Sequence, residues 1–106
     1  MAQHPIDRLF ATIAKRKKAD KKSSYTAKLL SEGVQKCAKK FGEEAVEAAL
    51  AAVSKNKKEL VAESADVLYH LLVLWAASGV KPDDVYATLK AREGKSGLQE
   101  KASRKG

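Results

Sequence analysis

Hydrophobic positions recur at helical spacing along nearly the whole chain. Ile6, Leu9, Phe10 and Ile13 fall at i, i+3, i+4 and i+7, one apolar stripe. No stretch alternates apolar and polar residues as a half-buried strand would. Five helical segments are expected. The first runs from about Pro5 to Ala19, with Pro5 in the first turn, where its missing N–H costs nothing. KRKKADKKSS puts six basic residues between Lys15 and Lys22. Their mutual repulsion predicts that this helix frays into a solvated basic loop over 15–23. Ser23 or Ser24 can cap a second helix from about Tyr25 to Glu32. A long third helix spans about Gly33 or Val34 to Ser54, with small residues such as Cys37, Ala45, Ala48 and Ala52 on one broad face. Gly42 interrupts it at about 1 kcal/mol relative to Ala, which points to close approach of another backbone. SKNKK is a short connection to a fourth helix, about Lys57 to Ala77. Gly79, then Pro82, Asp83 and Asp84, stop that helix and start a fifth, about Pro82 to Arg92. Residues 93–106 read as a flexible basic tail.

The second half of the fourth helix, VLYHLLVLWAA, is apolar around nearly its whole circumference and must be covered on all sides. A single domain of 106 residues has little material for that. The fold expected is therefore an all-α helical bundle completed by a second copy through the apolar helix 67–77. One Cys excludes a disulfide scaffold and a zinc finger. MAQHPIDRLF lacks the layout of a signal peptide. The longest uncharged run, Val67 to Val80, has 14 residues and contains His70 and Ser78, short of a bilayer span. A cytoplasmic setting without a membrane partner is the expectation.

Charge brings in chemistry. The chain has 21 Lys+Arg against 13 Asp+Glu, a net +8, which invites a nucleic-acid reading. The acids are not spread evenly. Glu43, Glu44, Glu47, Glu59, Glu63 and Asp66 lie within 24 residues that hold only three lysines, a net −3 that leaves +11 for the rest. Glu44 and Glu47 stand at i, i+3 on the third helix, and Glu63 and Asp66 at i, i+3 on the fourth. Each pair therefore shares a helix face. A short connection makes the two helices antiparallel, so the pairs reach similar heights and can converge. Four converging carboxylates cannot all stay ionised without compensation, and hard divalent cations such as Mg²⁺ supply it. The plain alternative is a solvated face, with Lys39 and Lys40 as ion-pair partners of Glu43 and Glu44.

KKFGEEAVEAALAA (39–52) followed by ELVAESADVLYHLLVLW (59–75) resembles the phosphoribosyl-ATP pyrophosphohydrolases, members of the MazG-like all-α nucleotide pyrophosphohydrolase group. The group's mark is an ExxE pair, a spacer and an ExxD pair, which Glu44, Glu47, Glu63 and Asp66 match. SYTAKLL (24–30) and REGKSGLQEKASR (92–104) are similar to that family rather than to the wider group. The resemblance implies a homodimeric, Mg²⁺-dependent enzyme of histidine biosynthesis. It would hydrolyse phosphoribosyl-ATP between its α and β phosphates, giving phosphoribosyl-AMP and pyrophosphate.

On this reading Glu44, Glu47, Glu63 and Asp66 are catalytic and metal-binding, with Glu44 or Glu47 orienting the attacking water. Lys40, one turn before Glu44, can face the phosphates. Arg92 and Lys95 can fold over the phosphoribosyl group, and Lys28 and His70 are further substrate contacts. Glu43 is the runner-up acid for the ligand set but should point more to solvent. Glu59 reads as a surface group or one that supports the ligands, Cys37 as a small core residue, and Tyr69 and Trp75 as core or interface. The acids are shared by the whole group, so a house-cleaning (d)NTP pyrophosphohydrolase is the first rival. A basic helical nucleic-acid binder is the second, and a purely structural dimerisation bundle the third. An acidic nest within a basic surround suits a small, multiply phosphorylated substrate better than a duplex.

Overall fold

A computed structural model describes residues 4–94. The helices are α1 (Pro5–Lys15), α2 (Tyr25–Glu32), α3 (Val34–Val53), α4 (Lys57–Ser78) and α5 (Pro82–Ala91), and no strand occurs among the described residues. The all-α expectation holds, and helix boundaries fall within a few residues of those read from sequence.

Local capping explains the boundaries. The Ser24 side chain accepts the Ala27 N–H and opens α2. The Asn56 side chain accepts the Glu59 N–H and donates to the Glu59 carboxylate, so α4 starts abruptly after a three-residue turn. Lys55 in that turn has φ 60, the left-handed region that favours glycine. Gly79 closes α4 with φ 76. Its amide and that of Val80 reach back to Ala76 and Trp75 carbonyls. Pro82 opens α5, and the Asp84 carboxylate accepts the Lys81 N–H.

α3 and α4 form an antiparallel hairpin, the most extensive helix contact in the fold. α1 lies against α4, and α2 fits between α3 and α4. Ile13, Leu29, Cys37, Leu72, Val73 and Ala76 form the buried centre, so each of the first four helices contributes to it. Ile6, Leu9, Phe10 and Trp75 close around its rim. Cys37 is core as expected, its Sγ donating to the Leu29 carbonyl at 3.4 Å. α5 is tied to α1 by the Tyr86 hydroxyl, which donates to Asp7 at 3.0 Å.

Three details differ from expectation. The basic run does not fray entirely: Arg16–Lys18 make a 3-10 turn that packs on α2. Asp20 then organises the following turn, accepting the Lys22 N–H on its carboxylate and the Ser23 N–H on its carbonyl. Gly42 is exposed, and a Cβ there would meet nothing within 4 Å, so no backbone among the described residues packs against it. The apolar half of α4 is partly covered by the chain itself, because His70, Leu72, Val73 and Ala76 are buried under the other helices. What stays exposed is a different face. Val46, Leu50 and Val53 on α3 are 58–80% exposed at i, i+4, i+7, and Val61 and Leu68 on α4 add 72% and 44%.

Candidate active site

The α3–α4 hairpin decides which acids meet. Glu44 on α3 and Glu63 and Asp66 on α4 each offer an oxygen within 4.8 Å of the others. Glu44 and Glu63 are half-buried and Asp66 is exposed, so the cluster sits at the edge of the hairpin, open to a ligand. Glu47 is exposed and outside that closest set, yet its charge reaches Glu63. Three of the four predicted acids are thus brought together, with the fourth one helical turn away.

The electrostatics fit a cation. Burial pushes the Glu63 carboxyl above its ordinary range, and the charges of Glu44, Asp66 and Glu47 push it further. Its Oε2 is buried with no hydrogen-bond partner. Such an oxygen is costly unless a proton or a metal satisfies it. Oxygen donors alone, clustered and anionic, are the ligand set that hard divalent ions take.

His70 stands one turn beyond Asp66 and is 6% exposed. Burial lowers its pKa, against the opposing pull of Glu44 and Asp66, so the imidazole is neutral at pH 7. Its Nδ1 has no hydrogen-bond partner. Tyr69 meets it edge-on at 4.9 Å and Tyr25 at 6.2 Å between ring centroids. The Tyr69 hydroxyl in turn hydrogen-bonds Thr26, which locks α2 onto α4 beside the acids. Tyr25 and Thr26 were not singled out from sequence. Their one signal was position, at the capped start of a helix within the SYTAKLL segment.

The predicted cations fare differently. Lys40 is half-buried on α3, close enough to act on His70, and it pairs with Glu43 at 3.5 Å rather than with Glu44. Glu43 is exposed and held in that pair, as a surface acid would be. Lys28 is exposed on α2. Arg92 is half-buried at the C-terminal cap of α5. Lys95 lies outside the described residues.

Comparison with known proteins gives this arrangement a context. The profile of the family Phosphoribosyl-ATP pyrophosphohydrolase matches residues 6–93. A phosphoribosyl-ATP pyrophosphatase of Parvibaculum lavamentivorans is 64% identical over 93% of this chain and 91% of its own length. That of Paracoccus denitrificans is 57% identical over 96% of both chains. That of Gluconobacter oxydans is 52% identical over 93% of this chain and 74% of its own.

Proposed function

The chain belongs to the phosphoribosyl-ATP pyrophosphohydrolase family, and from that premise we propose that it hydrolyses phosphoribosyl-ATP to phosphoribosyl-AMP and pyrophosphate in histidine biosynthesis. The scissile bond is the one between the α and β phosphates. The observation that carries the reading is the convergence of Glu44, Glu63 and Asp66 around a buried, unpartnered carboxylate oxygen, in a chain that matches the family almost end to end.

Glu44, Glu63 and Asp66 are the proposed Mg²⁺ ligands, with Glu47 the fourth. Bound Mg²⁺ supplies charge neutralisation at the phosphates and acidifies water. Glu44 or Glu47 orients the attacking water and takes its proton. Lys40 faces the phosphates at the cost of its pair with Glu43. Arg92, Lys95 and Lys28 contribute further positive charge to a substrate more anionic than the metal alone can balance. His70, neutral and partly wrapped by Tyr25 and Tyr69, offers an uncharged nitrogen to the substrate.

We propose a homodimer as the working form. The support is the row of Val46, Leu50 and Val53 beside Val61 and Leu68, an apolar face left open on one chain. This moves the proposed interface from helix 67–77 onto the outer face of the hairpin, with Leu68 common to both. α4 has the length and composition to cross a membrane. Its charged first half and its packing against α1, α2 and α3 fit a central bundle helix in a cytoplasmic enzyme better.

The deciding assay is pyrophosphate release from phosphoribosyl-ATP beside a panel of dNTPs, with Mg²⁺ and with EDTA. Turnover of phosphoribosyl-ATP well above every dNTP supports the proposal. A wide preference for a dNTP would replace it with a house-cleaning pyrophosphohydrolase.

A further inference from the structure

The active-site reading leaves the basic run unused, and the fold gives that run a shape. The 3-10 turn packs against α2. Between this segment and α2 is a cavity of about 470 Å³. Lys17, Lys18, Lys21 and Ser31 are its polar lining, and its apolar lining includes Ala27, Leu30 and Ala77.

Three ammonium groups within five residues repel one another. All three are exposed, and none belongs to an ion pair described in the structure, where the described pair is Lys40–Glu43. The one acid inside the run, Asp20, directs its carboxylate to the Lys22 N–H at 2.9 Å, so it is committed to shaping the turn. The backbone thus holds the lysines around a hollow, and among the described residues no acid is ion-paired with them. A compact anion of high charge density is what would relieve them.

This cavity is separate from the acid cluster. Tyr25 and Thr26 look toward His70 and Tyr69, whereas Ala27, Leu30 and Ser31 belong to the opposite flank of α2. The α4 residue at the cavity is Ala77, eleven positions past Asp66. That is roughly 16 Å along the helix axis.

We propose that the Lys17–Lys18–Lys21 cavity is a second binding site, for a polyphosphate group, either free or carried by a nucleoside. The lysines take the phosphate oxygens, while the Ser31 hydroxyl, which donates to the Lys28 carbonyl at 2.6 Å, shapes the cavity side. The Ala27–Leu30 wall gives a nucleobase an apolar surface.

The test is calorimetric titration of the full chain in EDTA, so that the unmetallated acid cluster repels anions. The titrants are inorganic triphosphate and ATP. A K17A/K18A/K21A variant is compared with K55A/K57A/K58A, which removes the same charge at the far hairpin turn. A single K21E variant guards against a folding defect in the triple, with circular dichroism on each. The expected result is saturable triphosphate binding that weakens at least tenfold in K17A/K18A/K21A and in K21E but not in K55A/K57A/K58A. Tighter binding of ATP than of triphosphate identifies the nucleoside form, and equal binding identifies the free one. No saturable binding by the parent chain, or equal weakening in both triple variants, overturns the proposal.

Discussion

Glu63 and His70 are both perturbed by burial, in directions that oppose each other in pH. Glu63 has its pKa raised by desolvation and by three neighbouring carboxylates. The native state therefore holds that proton more tightly than the unfolded chain, so this group's contribution is greatest at low pH and is lost as pH rises through the raised pKa. In the metal-free protein Glu63→Gln should raise the melting temperature at pH 7. The same change should lower Mg²⁺-dependent turnover by roughly 100-fold or more, as expected when a group facing developing charge is removed. Asp66→Asn should behave alike in turnover. If neither change alters pyrophosphate release, the acid cluster is not catalytic. His70 runs the other way. Its pKa is lowered from 6.5 by burial, so the unfolded chain takes a proton first and stability falls as pH drops below about 6.5. Melting curves from pH 5 to 8 in EDTA should show that fall in the parent chain and a flatter profile in His70→Phe. A carboxylate pair at i, i+3 could be read directly from sequence. The exclusion of Glu47 from the tightest set could not, because it depends on how α3 is rotated against α4. The burial of His70 needed Tyr25, 45 positions away in sequence.

Among elements, the α3–α4 turn carries the site, since its length fixes how Glu44 meets Glu63 and Asp66. Lys55 holds the left-handed conformation there without being glycine. Lys55→Gly should stabilise the fold by about 0.5–1 kcal/mol, read by urea unfolding, because the position removes the usual penalty for glycine. α5 is anchored differently. Tyr86→Phe removes the hydrogen bond to Asp7 and should cost about 1 kcal/mol in the same measurement. Helix ends were legible because their causes are local: Ser24, Gly79 and Pro82 each act within a few residues. The basic segment was not, because its order comes from contact with α2 and from the Asp20 turn. Repulsion between neighbouring lysines, the local term, was outweighed by both.

For the whole molecule, the all-α bundle followed from periodicity, but the choice of open face did not. A helix apolar on all sides pointed to α4, whereas α1 and α2 cover much of it. The surface left over is on the outside of the hairpin, and it runs through Val46, Leu50 and Val53. If the proposed homodimer forms through this row, Leu50→Asp should give a monomer by light scattering and leave the helical circular dichroism signal largely in place. Gly42 lies on the same row, four positions before Val46. Its missing side chain meets nothing among the described residues, and in the proposed homodimer it would leave room for the second copy.

In the proposed homodimer the open apolar row on the hairpin also links folding to mass action. A chain whose core is finished by another copy gains stability with protein concentration, through the ordinary linkage between association and unfolding. The melting temperature should therefore fall steadily on dilution, and the Leu50→Asp chain should melt at one temperature whatever its concentration. Newly made chains at low copy number would then be the most easily unfolded, and accumulation of the enzyme would protect it.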